Sequence, residues 1–447
     1  MDLIPGSWRR SARQVIGALA DRIDSGASDP ADPLTALRPA PGPGPVARAW
    51  AVTKTGATVA TLPAALPVST VAALRSQREA LRRIRVFPEQ LRAICEDRPG
   101  PLPVRSVGRL PASGRYVVTS DLHRCIPGRL DWPARQGTKD LYRAVLAGYA
   151  EDGWSVIENG DVEDFWMVGG STWGACYDAG RLAAGFAGPL ADSTRRELLG
   201  DHLDRIVANN ADLYHVLGEL ARDGRYHRTV GNHDDVLADR ALVERLAEHL
   251  PGVSAPDAIV LARSGPPRVE TTAAVIMHGH LTDAWNGPGL ATLGRATTWL
   301  ATTVDDLPIA AGLDGLPGEP ATAALLAGRG ENRLISVDAR FGGNRRFDSL
   351  DEERLFDRLA VTAPESGWPW LVFGHTHFPM LRPLDASGRT VRYANSGCGV
   401  LPGAFTALEW DGGREDPLRL VLHHVVDDRP TRSELRPDGD LLAAEPA

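Results

Sequence analysis

Lysine is nearly missing from this chain of 447 residues, because Lys54 and Lys139 are the only lysines among 49 basic residues. Alanine, glycine and proline are plentiful, so the excess of arginine is typical of GC-rich coding rather than of a particular chemistry. Cysteine is also scarce, and four thiols are too few for a disulfide framework in a chain of this length. We therefore expect a reducing, cytoplasmic setting. The cysteines are Cys95, Cys125, Cys176 and Cys398.

Long apolar runs are missing as well. Residues 1–24 mix Trp8 and several arginines with short apolar runs, so they lack the continuous apolar region of a signal peptide. No other stretch approaches about 18 uncharged apolar residues, and we predict no membrane span. Hydrophobic residues make up 43% and charged residues 24%, which is the balance of a soluble globular protein. The net charge of -8 disfavours a surface that coats nucleic acid.

The chain exceeds the roughly 150 residues of one ordinary core, which predicts one large domain with insertions, or two domains. Residues 1–112 differ from the rest, and we interpret them as a partly helical N-terminal extension with a Pro/Gly-rich linker at Pro30–Pro45. An apolar stripe predicts a helix over Ser69–Ile94, and its many arginines would either meet phosphate or form a solvated basic face.

From residue 113 the pattern changes to short β-rich runs that alternate with helical patterns, which predicts an α/β fold. We place the main domain at 113–425, with insertions at about 165–192 and 282–369, and a C-terminal tail at 426–447. Insertions of this length are typical of lids, and the second is interpreted as a cap. The predicted strands are Tyr116–Ser120, Trp154–Glu158, Tyr226–Val230, Ala274–Met277, Trp370–Phe373 and Val391–Ala394. The predicted helices are Lys139–Ala150, Thr194–Arg222 and Asp235–His249.

Metal-ligating side chains follow five of the predicted strands. Sheets of α/β proteins place their sites at the carboxyl ends of strands, so the five clusters predict one shared site. A single cluster such as Asp-x-His arises by chance, whereas five clusters after five strands do not. The clusters are Asp121-Leu122-His123, Gly160-Asp161-Val162-Glu163-Asp164, Gly231-Asn232-His233-Asp234, His278-Gly279-His280 and Gly374-His375-Thr376-His377.

The residue types in these clusters indicate the chemistry. Carboxylates, imidazoles and one amide, without cysteine, suit manganese, iron or zinc in a hydrolytic site better than a structural zinc site. Seven ligands exceed what one tetrahedral ion uses, so we predict two divalent ions. Two ions roughly 3.5 to 4 Å apart can clamp the attacking and leaving oxygens of a phosphoryl displacement. Hydrolysis at phosphorus follows.

The order and spacing of these five blocks resemble the calcineurin-like metallophosphoesterase superfamily over about residues 115–425. The resemblance implies a four-layer αββα sandwich with a dimetal site at one edge, here with a helical cap insertion and the N-terminal extension. It also implies a role for each matching residue. One metal would be held by Asp121, His123 and His377, and the other by Asn232, His278 and His375. Asp161 would bridge both ions, His233 would act at the leaving group, and Asp164 would orient the ring of His233.

Several neighbouring residues keep two interpretations. His280 is an alternative to His278 as ligand, or a substrate contact. Arg124 is either a substrate-binding residue that contacts a phosphoryl oxygen or a surface arginine. Asp234 is interpreted as an N-terminal helix cap. The turn Asn395-Ser396-Gly397 would support the site without taking part in chemistry.

Other side chains near the clusters receive structural interpretations first. Cys125 and Cys398 are interpreted as buried thiols. The insertions carry tryptophans that would pack the cap or stack on an apolar substrate group. These tryptophans are Trp166, Trp173, Trp285 and Trp299.

The blocks depart from those of Ser/Thr protein phosphatases, whose second block continues Asp-Arg-Gly and whose third ends in glutamate. They look more like bacterial small-molecule or lipid-precursor hydrolases, including those that cleave UDP-diacylglucosamine. We expect a small, nucleotide-linked phosphodiester or pyrophosphate substrate, with manganese as the first choice of metal. Phosphomonoesterase, nuclease and cyclic-nucleotide phosphodiesterase activities are alternatives, as is a catalytically silent phosphate-binding scaffold. Nucleic acid is not favoured, and the oligomeric state is left open.

Overall fold

Short apolar strands alternate with amphipathic helices along the part of the chain that the computed structural model describes. That part comprises residues 74–127, 131–167, 192–265, 269–284, 286–288, 350–377, 379–386, 389–401, 403–426, 429–435 and 441–446. The predicted Pro/Gly-rich linker, most of both insertions, and Trp173, Trp285 and Trp299 lie outside it. In the described residues, no helix combines the length and the apolar character needed to cross a membrane.

The predicted helices agree with the structure except where a polar residue interrupts them. Asn210 ends one helix, and its side chain donates to the carbonyl of Ile206 at 2.8 Å, so the single helix predicted over Thr194–Arg222 is two helices. A 3₁₀ turn over Asp235–Ala238 precedes the last part of the helix predicted from Asp235. The α-helices are α1 (residues 74–95), α2 (Trp132–Arg135), α3 (Thr138–Glu151), α4 (Asp192–Asn209), α5 (Ala211–Arg222), α6 (Arg240–Leu246) and α7 (Leu350–Val361).

The strands form two sheets, and all six predicted strands are present. The six-stranded sheet has the order β1-β5-β6-β7-β9-β8, and the seven-stranded sheet has the order β13-β12-β11-β10-β2-β3-β4. Both sheets mix parallel and antiparallel pairs, so the predicted α/β class is confirmed. The strands are β1 (Val107–Pro111), β2 (Arg115–Thr119), β3 (Ser155–Asn159), β4 (Tyr226–Thr229), β5 (Ala258–Gly265), β6 (Val269–Ile276), β7 (Trp370–Phe373), β8 (Met380–Ala386), β9 (Arg389–Asn395), β10 (Ala404–Asp411), β11 (Leu418–Val426), β12 (Arg429–Leu435) and β13 (Leu441–Pro446).

Alternate residues of each strand enter different apolar clusters, because successive side chains point to opposite faces of a sheet. Val117 of β2 packs with residues of α3 and α5, whereas Val118 packs with residues of the six-stranded sheet. In β7, Leu371 packs with residues of α1 and α7, whereas Val372 faces the other sheet. One face of each sheet is therefore covered by helices, and apolar residues of the two sheets pack against each other.

The start of the described chain belongs to this core. Phe87 and Leu91 of α1 are buried in the same cluster as Phe373 of β7, and the rings of Phe87 and Phe373 meet edge to face with centroids 6.4 Å apart. Strand β1 pairs in parallel with β5. Apolar side chains of residues 74–111 therefore complete the core of the six-stranded sheet, on the N-terminal side of the boundary predicted at residue 112.

Two further segments outside the predicted main pattern pack with the sheets. Helix α7 lies within the range predicted as the second insertion, and its Phe356 and Leu359 are buried in the cluster that covers the six-stranded sheet. The residues predicted to form a tail after 426 provide β12 and β13, which extend the seven-stranded sheet. Short alternating segments of this kind gave too weak a pattern to be recognised as strands in the sequence.

Candidate metal centre

The residues predicted as ligands follow the carboxyl ends of five strands. Strands β2, β3 and β4 are parallel neighbours in one sheet, and β6 and β7 are parallel neighbours in the other. The side chain of Asn159 joins the two sheets at this edge by donating to the carbonyl of Met277 at 3.1 Å. The residues that follow β2, β3 and β4 are Asp121, His123, Asp161 and Asn232, and those that follow β6 and β7 are His278, His375 and His377.

The backbone at this edge is held in an unfavourable conformation. Six non-glycine residues of the described chain have positive φ, and all but Asp97 belong to the predicted ligand set. The left-handed conformation costs a non-glycine residue about 1 to 2 kcal/mol, and such residues cluster at functional sites. The five are Asp121 (φ 52°), His123 (φ 46°), Asp161 (φ 52°), His375 (φ 70°) and His377 (φ 58°).

Asp121, His123 and His377 form one group whose potential ligand atoms lie within 4.8 Å of one another. Nδ1 of His123 lies 2.8 Å from Oδ2 of Asp164. Because a carboxylate only accepts hydrogen bonds, this contact places a hydrogen on Nδ1 and leaves a lone pair on Nε2. That lone pair faces Nε2 of His377 at 3.1 Å, and the same His377 atom lies 3.3 Å from Oδ1 of Asp121.

Asp161, His278 and His375 form a second group with the same spacing. Nδ1 of His278 donates to the carbonyl of Asn159 at 2.8 Å, so Nε2 of this ring points to Oδ2 of Asp161 at 3.2 Å. A lone pair that faces a carboxylate is repelled unless a cation, either a proton or a metal ion, lies between them. A third group consists of His123, Asp161 and His233.

Buried atoms without hydrogen-bond partners test whether these residues fit a metal. Four such atoms belong to predicted ligands: Oδ1 of Asp121, Oδ1 of Asn232, Nδ1 of His375 and Nε2 of His278. Buried polar atoms are normally paired, since an unpaired one costs roughly 1 to 3 kcal/mol. Unpaired oxygen and imidazole nitrogen atoms that lie close together are the ligands that a divalent cation binds. These residues therefore fit a divalent metal ion.

In the metal-free protein, burial and neighbouring carboxylates shift the pKa values of the histidines in the site. Burial lowers the pKa of His278, but the carboxylates of Asp161 and Asp121 outweigh it and raise that pKa to about 9. Burial likewise opposes the charge of His377, yet Asp121 raises its pKa well above the ordinary value. For His123 burial dominates, and its pKa is lowered despite the contact with Asp164. The carboxylates therefore attract cations to two of these rings.

His233 lies beside the groups, with a different environment. Its Nδ1 is 2.8 Å from the buried Oδ2 of Asp164, and its backbone N–H donates to Oδ1 of Asp161 at 2.8 Å. The ring of Trp166 stacks on it, with centroids 4.2 Å apart and planes at 25°. Trp166 thus packs on the site itself, and its buried position does not leave its face open for a substrate.

Asp164 is fixed from both sides. Its Oδ2 meets both His123 and His233, while its Oδ1 accepts the backbone N–H groups of Trp166 and Met167 at 2.8 and 2.7 Å. The imidazoles of His233 and His123 outweigh the effect of burial and hold the pKa of Asp164 well below its usual range. The predicted orienting role of Asp164 agrees with this geometry, which further joins it to His123.

Two residues do not lie where the sequence placed them. Asp234 does not cap the following turn with its side chain; its carboxylate accepts the backbone N–H groups of Gly231 and Val162. Arg124 is buried, not at the surface, and its guanidinium contacts Glu158 and lies 3.8 Å from Glu163. The charge of Arg124 is therefore paired with carboxylates inside the domain, and its contact with substrate stays a prediction.

The loops approach too closely for larger side chains. A Cβ atom on Gly231 would lie 2.1 Å from Oδ1 of Asp161, and one on Gly160 would lie 2.7 Å from the ring of His278.

Asn395 donates to the carbonyl of Gly374 at 2.8 Å and accepts the N–H of Gly397 at 2.9 Å. The turn at Asn395 therefore supports the loop after β7, as predicted.

His280 and the cysteines take secondary positions. The ring of His280 lies 5.3 Å from that of His278 but belongs to none of the metal-sized groups among the described residues. Cys125 and Cys398 are buried, as predicted.

One contact was missed in the sequence: Oδ2 of Asp283 lies 2.9 Å from Nε2 of His375. Asp283 comes after the 3₁₀ turn His280–Thr282 and not directly after a strand, so no pattern marked it.

Three imidazoles of the site are partly exposed to solvent. The side chains of His233, His375 and His377 are 12%, 11% and 36% exposed, whereas Asp121 and His278 are completely buried. A substrate would therefore meet these three imidazoles first.

Comparisons with known proteins add little to this description. No family model and no curated protein matches the chain. Among matching solved structures is one of a conserved uncharacterised protein from Streptococcus pneumoniae TIGR4, described there as a predicted phosphoesterase. It is 11% identical, the match covers 75% of this chain and 98% of the other, and the TM-score is 0.21. A likeness this weak assigns neither a family nor an activity to this chain.

Proposed function

We propose that this protein is a metal-dependent phosphoesterase that hydrolyses a phosphodiester or pyrophosphate bond at a dinuclear centre. The observation that carries the proposal is the overlap of three metal-sized groups, in which His123 and Asp161 each belong to two. Overlapping groups suit two neighbouring ions that share a ligand, and we assign Asp161 as the bridge. Asp121, His123 and His377 would hold one ion, and Asn232, His278 and His375 the other.

The chain's own residues would supply orientation and a proton. Two ions bound there would neutralise charge on the phosphoryl oxygens and lower the pKa of a water that attacks phosphorus. His233 is partly exposed, with Nδ1 held by Asp164, so its Nε2 is directed away from that carboxylate and can donate to a leaving oxygen. Asp164 supports the protonated ring, and Trp166 restricts its rotation.

The donor set guides the choice of metal and substrate. Carboxylate, amide and imidazole donors suit manganese first, with iron or zinc as alternatives. We propose the four-layer αββα sandwich of the calcineurin-like superfamily as the architecture, supported by helix-facing clusters on both sides of an inter-sheet cluster. The substrate would be a small phosphoester, nucleotide-linked as in UDP-diacylglucosamine hydrolases, selected by the insertions and encountered in the cytoplasm.

Three alternative functions would use the same site. A phosphomonoesterase or a nuclease would use the same ligands and would differ in the segments that cover them. A silent phosphate-binding scaffold would retain metal binding but not hydrolysis. The complete ligand set, together with the supported His233, favours catalysis over the scaffold.

Hydrolysis of bis-p-nitrophenyl phosphate and of p-nitrophenyl phosphate, with added Mn²⁺, tests the proposal. We expect diester cleavage that Asp161→Asn abolishes together with metal binding. A matched control is Asp411→Asn, which removes a carboxylate that pairs with Arg414 at the opposite end of the sheet. Monoester preference would select the phosphomonoesterase. A protein that binds two ions yet cleaves neither compound nor a panel of nucleotide-linked diesters would contradict a hydrolytic function.

A further inference from the structure

His375 is the one predicted ligand whose ring is held by a carboxylate from a segment that no motif marked. Oδ2 of Asp283 lies 2.9 Å from Nε2 of His375. Because the carboxylate only accepts, Nε2 must carry the hydrogen. Nδ1 of the same ring is buried, has no hydrogen-bond partner in the described structure, and keeps its lone pair. Nδ1 is therefore the nitrogen of this ring that can bind a metal ion. His375 belongs to the same metal-sized group as Asp161 and His278.

The carboxylate of Asp283 is itself fixed. Its Oδ1 accepts the backbone N–H of Asn286 at 2.9 Å, which closes a turn. Arg83 of α1 stabilises this turn by donating to the carbonyls of two residues on either side of it, Leu281 at 3.2 Å and Pro288 at 2.6 Å. Leu281 is buried in the apolar cluster that α1 also enters. Helix α1 therefore positions the segment that holds the ring of His375.

We propose that Asp283 is a positioning residue, which fixes the tautomer and orientation of His375 so that Nδ1 faces a metal ion. The inference deepens the proposed function and rests on it. A carboxylate on the second nitrogen of a ligating imidazole also makes the ring a stronger donor, and removal of such a partner typically weakens metal binding about 10- to 100-fold. Asp283 would act on the ion that His375 holds, because Oδ2 of Asp283 lies 2.9 Å from Nε2 of that ring.

General attraction between a carboxylate and a nearby cation would also favour binding, so the test must separate the two effects. If Asp283 acts through the ring, its removal matters only while His375 is present. If it acts by charge alone, its removal weakens binding equally when His375 is alanine. A double-mutant cycle makes this distinction.

Mn²⁺ binding to the metal-free full chain is measured by equilibrium dialysis for the wild type, Asp283→Ala, His375→Ala and the double variant, with Asp411→Ala as the matched control. We expect Asp283→Ala to weaken one of two ions about 10- to 100-fold and to have no further effect in the His375→Ala background. Asp283→Asn retains an acceptor oxygen and should weaken the ion less, and it replaces Asp283→Ala in the cycle should that variant not fold.

The outcomes separate this inference from the function on which it rests. Unchanged affinity in Asp283→Ala, or an equal loss in both backgrounds, would overturn the positioning role while leaving the metal centre intact. A wild-type chain that binds no Mn²⁺, Zn²⁺ or Fe²⁺ would overturn both. As a second measurement, nitrogen NMR of the Zn²⁺-loaded, histidine-labelled protein should report hydrogen on Nε2 of His375. Hydrogen on Nδ1 would contradict the proposal.

Discussion

Nδ1 of His233 lies 2.8 Å from Oδ2 of Asp164, and that contact sets both the charge and the direction of the imidazole. Burial opposes protonation of His233, but Asp164 and Asp161 outweigh it and raise the pKa of the ring. With Nδ1 occupied by the carboxylate, only Nε2 is available to a substrate. The pair therefore has the features of an acid that gives a proton to a leaving group.

His233→Asn should keep both metal ions and slow turnover by roughly 10² to 10⁴, because the variant removes a proton donor and not a ligand. Metal content and the rate of diester hydrolysis are measured on the same samples. His215→Asn is the matched control, since its side chain is 72% exposed and contacts only Glu219 among its recorded ion pairs. Loss of metal from His233→Asn would show that the group of His123, Asp161 and His233 binds an ion, and would reverse the assignment.

Metal affinity should rise with pH up to about 9. The Asp161 and Asp121 carboxylates raise the pKa of His278 to about 9 against the effect of burial, and the pKa of His377 is raised as well. A metal ion binds neutral imidazole, so at lower pH it must displace one or two protons. The affinity should therefore increase by about 10- to 100-fold per pH unit in that range, which titration at several pH values measures. An affinity that is independent of pH would contradict this arrangement.

Arg228→Met should destabilise the fold far more than a surface substitution. Arg228 is completely buried, and its Nη2 lies 2.6 Å from Glu163 and 2.8 Å from Asp234. Its loss removes the buried cation that Glu163 and Asp234 share, which costs about 3 to 5 kcal/mol in free energy of unfolding. Arg98→Met removes exposed ion pairs with Glu96 and Glu89 and should leave the free energy of unfolding nearly unchanged. Urea denaturation of the metal-free variants compares the two, and equal losses would contradict the prediction.

Strands and ligands of the site could be predicted because both are local in sequence. The apolar run Trp370–Phe373 predicts a strand, and His375 directly after Gly374 predicts a ligand at its end. The structure has this strand with the predicted bounds. Side-chain direction is not local. Arg124 follows a ligand directly, yet its position is decided by Glu158 on the neighbouring strand, 34 residues away.

Contacts between residues far apart in the sequence could not be predicted either, because no local pattern marks them. Asp283 and His375 are separated by 92 residues, and neither neighbouring sequence marks the other. The docking of α1 depends on Phe87 meeting Phe373, which a helical stripe alone does not indicate. The stripe predicted a helix with an apolar face, but the sheet that receives this face appears only when the chain is folded.

Gly231→Ala should weaken metal binding although it changes no ligand. A Cβ atom at this position would lie 2.1 Å from Oδ1 and 2.3 Å from the backbone N of Asp161, so the loop after β3 or the loop after β4 must move. Backbone cannot yield as a flexible side chain does, and Asp161 belongs to two of the three metal-sized groups. We therefore expect lower affinity for both ions, measured by Mn²⁺ titration. Gly148→Ala is the control, since no atom lies within 4 Å of its Cβ in α3, and it should stabilise the fold by about 0.5 to 1 kcal/mol. Full metal affinity in Gly231→Ala would mean that Asp161 does not bridge the ions from its observed position.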